Sequence, residues 1–198
     1  MKTVHIPDLN EFPEETRKRL EAVKEHFGEV PENALLMSCV PGLAESMQAL
    51  TTVCVGPGEL HQESKWLAGH MVSRVAGCQF CSAHTAHNAV QLTGVAPDKF
   101  SAIWEFESSP LFTAAERDLL RFAAAAGSVP NQVQQAHYDA LHAHFSDRQI
   151  LELVAVVAFF GFLNRWNDTL GTRLGEEPLD FAQKHLAASG WTGDRHLG

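Results

Sequence analysis

Residues 146–171, SDRQILELVAVVAFFGFLNRWNDTLG, are apolar at nearly every position from Ile150 to Leu163. A helix that is apolar all round has no face to turn toward water, so this one is expected inside a core or between subunits. Ser146 stands at its start, where a hydroxyl can cap the first free N–H groups. Such a helix needs other helices around it.

The rest of the chain supplies them. In PEETRKRLEAVKEHFG, Pro13 opens a segment with acidic residues first and basic ones after, and Gly28 offers a stop. A short apolar helix follows Pro31 to about Cys39, and another runs from Pro41 toward Leu50 before VGPGE breaks the chain. Leu60, Leu67, Met71 and Val75 then recur at helical spacing, predicting a long helix over 59–76 that Gly77 ends. The next helix is expected from about Cys78 to Leu92, closed by Thr93 and Gly94. Pro97 opens a further one, TAAERDLLRFAAAAG carries a capping box from Thr113 to Glu116, and Pro130 and Asn131 restart a helix toward Phe145. Residues 177–198 read as a tail around a short helix. Nowhere does apolar and polar alternate with period two, so the fold class is all-α.

Composition narrows the partners. The 198 residues are 45% hydrophobic, enough for one compact domain with a sizeable core, and the formal charge of -9 disfavours nucleic acid and anionic membrane surfaces. A small neutral or weakly charged substrate fits better. The N-terminus lacks a signal-like apolar stretch and no uninterrupted apolar run reaches about eighteen residues, so a cytoplasmic protein is expected, with no membrane or nucleic acid as partner.

The chemistry concentrates in GCQFCSAHTAHNA, residues 77–89, where Cys78 and Cys81 precede His84 and His87 at the start of a helix. A dithiol of this spacing in a reducing compartment is redox-active or metal-binding more often than structural. Four-point metal coordination would require breaking the helix that carries both histidines, which weakens the metal reading. Helix N-termini favour thiolates, so the thiols are expected to have lowered pKa values. His84, one turn after Cys81, can take or return its proton, and one sulfur can attack while the other resolves. That cycle needs no cofactor. Cys39 and Cys54 are expected to be buried small hydrophobes.

Other polar residues invite weighing. Glu63, Trp66 and His70 share one helix face; His70 is a candidate acid–base group and Glu63 a candidate to orient it. Trp66 can line a pocket or simply pack. Glu152 must meet a polar partner inside its apolar helix, with Arg165 one candidate, and Asn164 reads as structural. His137, His142 and His144 do not share a helix face and read as surface residues.

The stretches VSRVAGCQFCSAHTAHNAVQLTG, FTAAERDLLRFAAAAGSVPNQV and FSDRQILELVAVVAFFGFLNRWNDTLG together resemble the carboxymuconolactone decarboxylase and alkylhydroperoxidase D (AhpD-like) superfamily, over about Leu60 to Gly171. The resemblance implies a single AhpD-like helical domain over 1–198, with N-terminal helices over 1–58, a core with the CxxC motif over 59–171 and a C-terminal tail over 172–198. It implies a homo-oligomer, trimer or hexamer, and thiol-dependent peroxidase activity. Cys81 resembles the peroxidatic cysteine and Cys78 the resolving one. A small hydroperoxide would be the substrate and an external thiol or dithiol the reductant. Two positions depart from the family pattern: Thr85 stands where its histidine usually lies, with His84 one position early, and Trp66 stands where its glutamate usually lies. The alternatives are a decarboxylase-type lyase or lactone-processing enzyme on the same fold, and a redox-sensing oligomer without turnover.

Overall fold

The computed structural model describes residues 4–197, with only the backbone of His26 and Phe27, so residues 1–3 and 198 of the expected domain lie outside it. Ten α-helices run in chain order among the described residues: α1 Glu14–Phe27, α2 Glu32–Ser38, α3 Leu43–Val55, α4 Gln62–Val75, α5 Gln79–Thr93, α6 Pro97–Ser101, α7 Ala114–Gly127, α8 Gln135–His142, α9 Asp147–Leu170 and α10 Glu176–His185. No strand occurs among the described residues.

The centre is a group of four helices in which α4 packs against α5, α7 and α9. Leu67, Ala68 and Met71 of α4 are fully buried, as are Leu119 and Leu120 of α7 and Val156 of α9. Gly69 sets the distance between α4 and α9: a Cβ there would come within 2.3 Å of the Phe160 ring, so only glycine lets that ring lie against the helix. The expected caps are present, Thr113 accepting from the Glu116 N–H and Ser146 from the Gln149 N–H. At the other end of α9, Gly171 takes the left-handed conformation.

The long helix α9 meets the length and apolarity of a membrane span, yet it packs against α3, α4, α5 and α7 as a core helix does. It is not buried all round. Leu151, Val154 and Phe162 are exposed, so the apolar pattern extends past what this one chain covers. Glu152 finds its partner in Lys65, not Arg165: Lys65 Nζ lies 3.0 Å from Glu152 Oε2 and is 1% exposed, while Arg165 donates to the Gly161 carbonyl. The Glu152 carboxylate also accepts the Glu59 and Leu60 N–H groups. Burial would raise its pKa, but these two N–H groups and the ammonium outweigh that and hold it at about 2. Asn164 is buried, and neither its amide nitrogen nor its oxygen has a protein partner.

Several expected boundaries shift. The helix expected from 59 begins at Gln62, because the 59 and 60 N–H groups are held by Glu152. The one expected from Pro130 begins at Gln135, because Asn131 Oδ1 accepts the Val133 N–H and turns the chain locally instead. Cys54 is buried as expected; Cys39 is exposed, since its helix ends at the surface.

Candidate functional site

The dithiol sits on a corner made by a single glycine. Gly77, at φ +74°, ends α4, and the Cys78 N–H reaches back to the Ser73 carbonyl at 3.1 Å, closing the helix as a Schellman turn. The same Cys78 is the N-cap of α5: its sulfur accepts the Cys81 N–H at 3.3 Å. Cys78 thus closes one helix with its backbone and opens the next with its side chain. It also lies within hydrogen-bonding reach of the Cys81 thiol, and both cysteines are free and buried.

Cys81 lines a cavity of about 720 Å³. The core contributes Trp66, Phe80, Phe159, Phe160 and Leu163; α1, α2 and α3 close the other side with Leu20, Met37 and Met47. Charge enters only through Arg19 and Glu45, which pair with one another. Near the sulfur the polar groups are His84, Thr85 and Asn167. The expected lowering of the Cys81 pKa does not occur. Burial pushes it well above its ordinary value, the neighbouring Cys78 and Asp168 add to the rise, and the hydrogen bond from Asn167 opposes it. The helix start does not compensate for the loss of water.

Asn167 is the residue that the sequence reading missed. Its Nδ2 donates to the Leu163 carbonyl at 3.0 Å and toward Cys81 Sγ at 3.6 Å. Because a carbonyl can only accept, the first contact fixes which end of the amide faces the sulfur. The signal was available: Asn164 and Asn167 stand three apart in an apolar helix, an arrangement that puts two costly polar groups on one buried face.

The structure brings Cys78, Cys81 and His84 together. His84 lines the cavity beside the Phe80 ring, with centroids 4.3 Å apart. Burial and then the charge of His87 lower its pKa to about 4, so it is neutral near pH 7. His70 lies behind this group and does not line the cavity. Its Nδ1 is 3.1 Å from the Ser82 carbonyl and 2.9 Å from Thr85 Oγ1, which places the proton on Nδ1; Thr85 passes the chain on by donating to the Cys81 carbonyl at 2.8 Å. Burial, with a smaller contribution from Arg74, lowers the His70 pKa to about 3. Glu63 is not brought to His70. Its carboxylate binds Lys99 at 2.6 Å, and Lys99 binds Glu116 equally closely, joining α4, α6 and α7.

Residues far along the chain complete the corner. Trp191 Nε1 donates to the Gln79 carbonyl at 2.9 Å and the Thr192 N–H to the Gln79 side chain at 3.2 Å. His196, fully buried, bonds the Thr172 carbonyl at 2.7 Å and lies against Phe80. No group of three or more potential metal ligands is found among the described residues.

The crystal structure of an alkylhydroperoxidase AhpD core, an uncharacterized peroxidase-related protein from Ralstonia eutropha JMP134, superposes with a TM-score of 0.78, at 22% identity over 94% of this chain and 96% of that one. The chain has the AhpD-like fold. The resemblance carried by its three sequence stretches therefore holds in three dimensions. Other similar proteins share more sequence. The debrominase Bmp8, as a cysteine-to-alanine variant in complex with 2,3,4-tribromopyrrole, matches with a TM-score of 0.79 and 26% identity over 93% of this chain and 99% of its own. Apo Bmp8 is 29% identical over 87% of this chain and 95% of its own, with a TM-score of 0.76. The uncharacterized protein YnjA of Escherichia coli K12 is 27% identical over 170 residues, 83% of this chain and 91% of that protein. No family model matches the sequence. Neighbours of this fold include an enzyme, the debrominase Bmp8.

Proposed function

We propose that the protein is a thiol-dependent peroxidase that reduces small apolar organic hydroperoxides through Cys81 and Cys78. The observation that carries this reading is the placement of Cys81, with His84 and Asn167, on the wall of a largely apolar cavity, and of Cys78 directly against Cys81. Cys81 sulfur attacks the peroxide, forming an S–O bond as the O–O bond breaks. The thiol proton passes through His84 to the departing alkoxide, leaving an alcohol and a Cys81 sulfenic acid. The Cys78 thiol then attacks that sulfur, releasing water and forming the disulfide, which an external thiol or dithiol reduces. Asn167 favours the charged sulfur at the moment of attack, offsetting the burial that keeps the resting group a thiol. His70 and Thr85 position the turn of α5 that carries Cys81.

The test is hydroperoxide consumption with dithiothreitol as reductant. Wild type should turn over, Cys81→Ser should be inert, and mild peroxide should convert Cys78 and Cys81 to a disulfide while Cys39 and Cys54 stay reduced. Turnover that survives Cys81→Ser, or a disulfide involving Cys39, would overturn the assignment.

A second reading is favoured by the likeness to Bmp8: the same dithiol acting on a halogenated aromatic. Sulfur would attack the halogen, the ring carbon would take the proton, and Cys78 would displace halide to leave the disulfide. Bromide release from 2,3,4-tribromopyrrole, with no hydroperoxide consumption, would select it.

We further propose a homo-oligomer in which the exposed apolar residues of α9 are covered by a second copy. Val154 and Phe162 line a groove of about 910 Å³ that is separate from the cavity holding Cys81.

A further inference from the structure

Three of the residues around Cys81 carry buried polar atoms that no protein group satisfies: the indole Nε1 of Trp66, the Nε2 of His84 and the Oδ1 of Asn167. Buried polar groups in folded proteins are nearly always partnered, because an unmatched one costs on the order of 1–3 kcal/mol. Three unmatched atoms on residues lining the one cavity that holds the nucleophile are not explained by packing. They differ in kind. Indole nitrogen can only donate, the Asn167 oxygen can only accept, and a neutral imidazole does whichever its tautomer allows. Thr85, the other polar residue near the sulfur, already has its hydroxyl engaged by His70 and the Cys81 carbonyl, and Phe80, Phe159, Phe160 and Leu163 supply apolar wall. Such a set matches a ligand that is apolar over most of its surface and has a single polar end able both to accept and to donate.

We propose that Trp66 is a catalytic residue whose N–H, together with His84 and Asn167, holds the oxygens of the substrate, and that it stabilises the oxygen that leaves. The inference rests on the peroxidase reading and adds a residue and a recognition rule to it. As sulfur bonds to one oxygen and the O–O bond breaks, the other oxygen departs with the electron pair as an alkoxide. Trp66 donates a hydrogen bond to that charge without giving up its proton; the proton that completes the alcohol comes from the Cys81 thiol by way of His84. Asn167 Oδ1 accepts the hydroperoxide O–H before reaction. Trp66 is suited to the task because its ring is fixed, 6% exposed and edge-on to Phe160, so the donor needs no rearrangement when charge develops.

The leaving group provides the experiment. Cumene hydroperoxide releases a strongly basic alkoxide, perbenzoic acid a stable carboxylate. Trp66→Phe keeps the aromatic wall and removes the N–H. Loss of one such donor costs about a hundredfold in comparable oxyanion sites, so the variant should fall by about that factor with cumene hydroperoxide and only a few-fold with perbenzoic acid. An equal fall with both oxidants, or none, would overturn the proposal. Binding gives a measurement independent of turnover and of the variant's folding. Wild type should bind 2-phenyl-2-propanol about tenfold more tightly than cumene, which has the same carbon skeleton and no hydroxyl, as expected for one well-made hydrogen bond. Indifference to the hydroxyl would also overturn it. If wild type consumes no hydroperoxide yet discriminates the alcohol, and Trp66→Phe abolishes that discrimination, the peroxidase reading fails and the recognition rule stands.

Discussion

At Cys81 two influences oppose one another: burial raises the thiol pKa and the amide of Asn167 lowers it. Asn167→Leu should therefore raise that pKa further and slow alkylation of Cys81 near pH 8 by about tenfold or more, the value of a hydrogen bond to a charged acceptor. Alkylation rates followed across pH measure it. His84 and His70 should separate equally clearly. His84→Ala removes the proton carrier and should slow peroxide reduction by about a hundredfold or more. His70→Ala leaves Thr85 Oγ1 and the Ser82 carbonyl without their ring partner, so it should cost about 1–3 kcal/mol of stability and change the rate of the folded enzyme little. Paired urea melts and initial rates distinguish the two; a large rate loss in His70→Ala would return it to the proton path. The spacing of Cys78, Cys81 and His84 made those three legible in the sequence. For Asn167 the three-residue spacing from Asn164 marked a buried polar face, but its partner, 86 positions away, left no local trace.

Among the elements, α4 and its two junctions carry most of the organisation. Gly77→Ala meets open space, so its whole effect comes from the left-handed backbone, about 1–2 kcal/mol of destabilisation by urea titration. At the other end, Glu152→Leu leaves the Lys65 ammonium buried beside the Gly56 carbonyl without its counter-charge and should cost about 3–5 kcal/mol. Adding Lys65→Met should restore much of that loss. If the double variant is no better than the single, the pair is not what holds the 56–60 loop to α9. The same contact explains what could and could not be read beforehand. Helix ends governed by neighbours in sequence, such as Ser146 with Gln149 and Gly94 after Thr93, were legible. The start of α4 is governed by Glu152, more than 90 positions away, and that kind of control leaves no local trace. The raised thiol pKa escaped notice for a similar reason, since the burial comes from helices on both sides of the motif.

For the molecule as a whole, acid should be destabilising in a defined window. His70 and His84 are held neutral, at about 3 and about 4, against 6.5 in the unfolded chain. Above pH 6.5 neither state binds these protons. As pH falls below it the unfolded chain takes them up first, so stability declines until the folded values are reached. At pH 5 the loss should be about 2 kcal/mol from His70 and less from the half-buried His84. Urea melts at pH 7.5 and 5 measure it, and His70→Ala should flatten the dependence. Assembly belongs to this scale too. Light scattering should find a homo-oligomer, and Phe162→Asp should lower its mass by placing a charge on the exposed apolar face of α9; a wild-type monomer at micromolar concentration would exclude it. A final consequence concerns synthesis. Gln79, beside the nucleophile, is held by Trp191, 112 positions later. A nascent chain therefore carries its cysteines out of the ribosome long before the segment that secures their helix has been made. In that interval they are ordinary solvent-facing thiols, and it is completion of the chain that withdraws them into the site.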